Sequence, residues 1–198
     1  MSERRGKIVI TGCGRSGTTY TSRLFKTFGF SVGHEREEEH GISSWYLASE
    51  KSKRKPTLKD VQSRNIPIVH QVRDPIKVIS SMSTVSDRSW KLIRECIPIK
   101  SNDSLRLKCM KYWYHWNLLA EDKSEFTFQI EKIKDHLPKL FSIAGFDESH
   151  LEISKMSKVP TNINKRNHSS LTWENLETED EQLTEDIRKL ATRYGYSF

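Results

Sequence analysis

Cysteine is scarce and scattered. Cys13, Cys96 and Cys109 are the three thiols of the chain, and they form no C-x-x-C pair. That distribution argues against a disulfide framework, offers no metal signature and fits a reducing compartment. Long apolar runs are missing too, none approaching the roughly 20 residues that a membrane-spanning helix requires. The opening MSERRGKIVITG enters an apolar run almost at once, so no signal peptide and a cytoplasmic setting are expected. On that expectation the N-x-S sequons at Asn102 and Asn167 carry no meaning. There is no internal repeat and no low-complexity tract. With 35% apolar and 30% charged residues, the composition is that of a polar-surfaced protein, and 198 residues suit a single domain.

Negative charge is in the minority. Lysine and arginine number 33 against 26 aspartates and glutamates, a net charge of +7. Such an excess favours anionic partners (nucleic acid, phosphorylated cofactors or acidic glycans) without choosing among them.

The patterning alternates strands with helices. Residues 7–11 read as a buried strand and 18–28 as a helix with Leu24, Phe25 and Phe28 on its apolar face, closed by Gly29. A short second strand is expected at Phe30–Val32, followed by the charged loop GHEREEEHG and the amphipathic piece ISSWYLAS. Residues 51–60 read as a flexible basic connection. IPIVHQV is a third strand ending at Arg73, with Pro75 in the first turn of the next helix. A long helix over 104–121 carries Trp113 and Trp116 on its apolar face. FTFQI is a further strand, a helix ends near Gly145, residues 151–173 are irregular, and a closing helix covers about 179–196. The predicted fold is α/β, a parallel sheet flanked by helices in a P-loop-like three-layer sandwich, with ligands beyond the C-terminal ends of the strands.

One such end is the loop TGCGRSGTTY, residues 11–20. Its glycines let the backbone aim N–H groups at an oxyanion, and the following helix adds its positive end. Ser16, Thr18 and Thr19 supply hydroxyls, and Arg15 supplies a phosphate-shaped fork. A triphosphatase would want lysine where Thr18 stands and an aspartate at another strand end for magnesium. A dinucleotide site would want an acidic residue about 20 positions on, where Glu35 falls. The second element is Arg73 at a strand tip with Ser81 eight residues later.

Together these stretches resemble the sulfotransferases that use 3′-phosphoadenosine 5′-phosphosulfate (PAPS). The family's loop pattern Lys/Arg-Ser-Gly-Thr-Thr is matched by Arg15-Ser16-Gly17-Thr18-Thr19, and its arginine–serine pair by Arg73 and Ser81. The resemblance spans roughly residues 7 to 145. It implies sulfuryl transfer from PAPS to a hydroxyl or amine, without a metal. Gly14, Arg15, Ser16, Gly17, Thr18 and Thr19 would hold the 5′-phosphosulfate, and Arg73 and Ser81 the 3′-phosphate. Arg15 would also serve catalysis. Glu35 is the implied base and His34 the runner-up, being suited to proton transfer near neutral pH; Glu37, Glu38 and Glu39 read as solvated charge, and Glu131 as structural.

The remaining motifs have plainer readings. H-E-x-x-x-x-H at 34–40 does not put two histidines on one helical face, so no metal is expected. His70 reads as a satisfied core histidine, KYWYHWN as core packing and KSKRK as a solvated loop. Lys165 and Arg166 are second-tier candidates for the donor. A small nucleotide kinase or NTPase, and a non-catalytic nucleotide- or nucleic-acid-binding module, are the alternatives. The acceptor class (glycan, lipid, small molecule or peptide side chain) stays open, and a homo-oligomer could complete its pocket.

Overall fold

The computed structural model of the protein describes residues 6–161, 163 and 166–198. Among the described residues, five strands make one parallel sheet: β1 (Ile8–Gly12), β2 (Gly33–His34), β3 (Gly41–Ser43), β4 (Ile68–Val72) and β5 (Phe126–Gln129), in the order β2-β3-β1-β4-β5. β1 and β4 are buried along their whole length, which is why both read as near-continuous apolar runs. Their register pairs Val9 with Ile68 and Gly12 with Gln71. Parallel pairing needs crossovers, and the helices supply them.

Side chains alternate across the sheet, so each strand feeds two cores. Ile8, Ile10 and Val69 pack on the side of α1 (Thr18–Thr27) and α6 (Ile133–Ala144). Val9, Ile68 and Val72 pack on the other side. That second core is built with α3 (Pro75–Met82), α4 (Asp87–Cys96), α5 (Leu105–Asp122) and α8 (Glu181–Arg193). The α/β layering is as the sequence pattern predicts.

Two strand expectations need correction. The second strand does not lie at Phe30–Val32. Phe30 is drawn into an aromatic cluster, its ring 4.0 Å from that of Phe146, and strand pairing starts only at Gly33 opposite Ile42. β3 falls inside what reads as loop and amphipathic piece; three residues are too few to show alternation. The closing helix expected at 179–196 is α8, and a further helix, α7 (Trp173–Glu179), precedes it; Asp180 leaves helical geometry between them and caps α8 by accepting from the Leu183 N–H. α4 is a helix beyond those expected, and its mark in the sequence is Trp90, Ile93 and Ile97, all in the core, at helical spacing. Within 51–60, Ser52 and Pro56 are buried, and Thr57 with Asp60 forms a capping box that starts α2 (Leu58–Gln62).

Candidate active site

The C-terminal ends of β1, β2 and β4 open onto a cleft of about 840 Å³. The loop from β1 to α1 forms its floor. Gly12 is required there by proximity: a Cβ on it would lie 2.1 Å from the Gln71 carbonyl oxygen across the β1–β4 ladder. Gly17, at φ +97°, turns the chain into α1, a conformation that costs glycine little. Arg15 occupies left-handed backbone too, at φ +72°.

The loop is braced from β4 and within itself. Gln71, wholly buried, donates from Nε2 to the Ser16 carbonyl at 2.7 Å and accepts from the Thr21 hydroxyl at 2.6 Å. The Ser16 hydroxyl donates inward to the Cys13 carbonyl at 2.6 Å, so its first role is to close the loop. A glutamine next to His70 in a buried strand is the sequence signal for this brace.

All ten predicted site residues line this one cleft: Gly14, Arg15, Ser16, Gly17, Thr18, Thr19, His34, Glu35, Arg73 and Ser81. The two motifs meet directly. Arg15 donates from Nε to the Ser81 hydroxyl at 2.8 Å, and Arg73 donates from Nη1 to the Arg15 carbonyl at 3.0 Å. Burial, then the nearby Arg166 and Arg73 guanidiniums, push the Arg15 pKa below its ordinary value. Three guanidiniums drawn together at a helix start suit an anion with more than one phosphate-like group. Arg166 also reaches the Thr84 carbonyl; Lys165 lies outside the described residues.

His34 ends β2 and Glu35 follows it, both facing the cleft. The His34 Nε2 lies 3.3 Å from the Thr18 hydroxyl and 3.1 Å from that of Thr19. Burial lowers its pKa, outweighing the adjoining Glu35 charge, so the imidazole is neutral at pH 7. Glu35, at φ +54°, accepts from the Trp45 indole N–H at 3.0 Å and from Arg54 at 3.1 Å. His40 sits elsewhere, its Nδ1 accepting from the Ser31 N–H and its ring against Phe30.

α5 carries the anchors that sequence reading took for core alone. Trp113 and Trp116 are indeed fully buried, but their indole N–H groups donate to the carbonyls of Arg73 (3.3 Å) and Trp45 (3.0 Å). Tyr112 accepts the Gly14 N–H at 2.7 Å and also lines the cleft. The sequence held only a weak signal for Tyr112, an aromatic one residue ahead of a core tryptophan. His70 is saturated as expected, Nε2 to Asn117 at 3.0 Å and Nδ1 to Thr127 at 3.2 Å. Glu131 is structural in its contacts, accepting from the Asp74 N–H and the Tyr196 hydroxyl.

No family model and no curated protein matches the chain. Among solved structures, it is similar to mouse sulfotransferase SULT7A1 complexed with PAP. The two share 13% identity over 84% of this chain and 69% of that one, with a TM-score of 0.46.

Proposed function

We propose that the protein is a sulfotransferase that takes its sulfuryl group from PAPS. The observation that carries this reading is the Arg15–Ser81 hydrogen bond. It joins a phosphate loop without a lysine to the arginine–serine pair behind it, so a 5′-phosphosulfate and a 3′-phosphate could be held at once. The donor supplies an activated sulfuryl group; the chain's own task is to hold and neutralise it. Arg15, Thr18, Thr19 and the start of α1 are suited to the 5′ side, and Arg73 and Ser81 to the 3′ side. Charge on the departing phosphate is best met by Arg15.

In the transfer, the acceptor oxygen bonds to sulfur while the bond from sulfur to the 5′-phosphate oxygen breaks. The leaving bisphosphate keeps that electron pair. Glu35 is the proposed base for the acceptor's proton. Its ion pair with Arg54 is half-exposed on both sides and hence weak enough to open, whereas the His34 Nε2 is shared with two loop hydroxyls.

The deciding experiment is a thermal shift. A ligand at about 100 times its Kd adds roughly 2.7 kcal/mol, or about 5–10 °C for a chain of this size. 3′,5′-Bisphosphoadenosine should give that shift, and AMP and ATP much less. Arg73→Ala should erase the preference for the 3′-phosphate. Equal shifts from all three nucleotides would sink the reading, and strict magnesium dependence of turnover would favour a nucleotide kinase.

A further inference from the structure

Gln71 is wholly buried in a strand where Ile68, Val69 and Val72 are core residues. A buried amide is costly unless both of its ends are satisfied. Here both are, and one partner dictates the role of the other. The Ser16 carbonyl can only accept, so it must face the amide nitrogen, at 2.7 Å. The Thr21 hydroxyl, 2.6 Å from Oε1, must then donate. Thr21 thereby fixes which end of the Gln71 amide meets the loop.

The consequence falls on a single peptide. The Arg15–Ser16 peptide is held at both ends, its carbonyl by Arg73 at 3.0 Å and its N–H by the Cys13 carbonyl at 3.2 Å. The Ser16–Gly17 peptide is held only at its carbonyl. In a trans peptide the N–H points opposite to the carbonyl. With the Ser16 carbonyl drawn towards β4, the Gly17 N–H is turned the other way, and it has no partner among the described residues. A half-turn of this peptide would exchange the two groups and carry the Gly17 φ from +97° to the negative side. Glycine adopts either sign about as readily, so Gly17 permits the outward N–H without selecting it. A carbonyl oxygen in that place would repel the anion that the N–H attracts.

We infer that Gln71 is a positioning residue that selects this peptide's orientation, so that the Gly17 N–H and not the Ser16 carbonyl faces the donor's 5′-phosphate. The identity of that phosphate rests on the sulfuryl-transfer reading; the orientation of the peptide does not. The test titrates 3′,5′-bisphosphoadenosine and adenosine 3′-phosphate calorimetrically into the parent and the near-isosteric Gln71→Met. The variant should bind the bisphosphate at least about tenfold more weakly and adenosine 3′-phosphate unchanged. General damage to the cleft would weaken both alike, and that result, or two unchanged affinities, would overturn the inference. Thr21→Val, which frees the amide to turn over, should show a smaller loss confined to the bisphosphate, and it replaces Gln71→Met if that variant does not fold. In amide NMR spectra of the parent, the Gly17 proton should move downfield as bisphosphate is added; a proton that stays put removes the inference. Failure of the donor reading would show separately, as no preference for bisphosphate over AMP. Inorganic phosphate then takes the nucleotide's place in the NMR titration. A Gly17 proton that moves in the parent and not in the variant upholds the inference, and any other pattern refutes it.

Discussion

Two histidines with lowered pKa values carry different predictions. His34 is neutral at pH 7 and touches Thr18 and Thr19. If Glu35 takes the proton, Glu35→Gln should cost about 10²–10⁴-fold in turnover and keep the thermal shift with bisphosphate. His34→Asn should keep most of the turnover. The reverse pattern would hand the role to His34. Then kcat/KM would climb with pH below 6.5, as the imidazole loses its proton, and His34→Asn would abolish the climb. His70 bears on stability instead. Burial pulls its pKa down to about 4, so between that value and 6.5 the unfolded chain binds a proton that the folded chain does not. Its contribution is therefore level above pH 6.5 and falls as pH drops towards 4. Between pH 7 and pH 5 the loss is about 2 kcal/mol. Urea unfolding at the two pH values should show His70→Gln losing less than the parent by about that amount; equal losses would refute the assignment.

The elements differ in how far the sequence disclosed them. β1, β4, α1 and α3 were legible because long buried strands and capped helices leave periodic or chemical marks: Pro75 opens α3 where it was expected, and Asp74 caps it by accepting from the Lys77 N–H. β2 and β3 escape the sequence because their positions depend on pairing, β3 with β1 and β2 with β3, and Phe30 and Val32 answer to a core beneath the sheet. The loop's residues could be listed from sequence; their mutual contacts could not, since Arg15–Ser81 and Gln71–Ser16 span 66 and 55 residues. Close approach at the β1 end yields a prediction for the element. Gly12→Ala would force a Cβ into the Gln71 carbonyl, separating β1 from β4 where the loop begins. A loss of about 3 kcal/mol or more in urea unfolding is expected, together with loss of the bisphosphate shift. An alanine variant of parental stability would mean that the ladder tolerates the spread.

At the scale of the molecule, the cleft depends on a helix that follows most of its lining in sequence. The residues assigned to the donor's 5′ and 3′ sides lie between Gly14 and Ser81, with the Arg166 guanidinium beside them. Yet Tyr112, Trp113 and Trp116 of α5 hold Gly14, Arg73 and Trp45 in place from the far side of the sheet edge. The ionic character of the loop cannot substitute for these bonds, because Arg15, Arg73 and Arg166 repel one another until an anion arrives. A fragment ending before Leu105 would thus contain every proposed donor contact except Arg166 and still bind no bisphosphate. Adding α5 and the strand after it should restore binding if the fragment folds, and a shorter fragment that binds would place the determinants within the loop itself. The capacity to bind is consequently acquired only in the second half of the chain's own synthesis, when α5 and β5 have emerged and docked, so a product stalled before them stays inert towards the nucleotide.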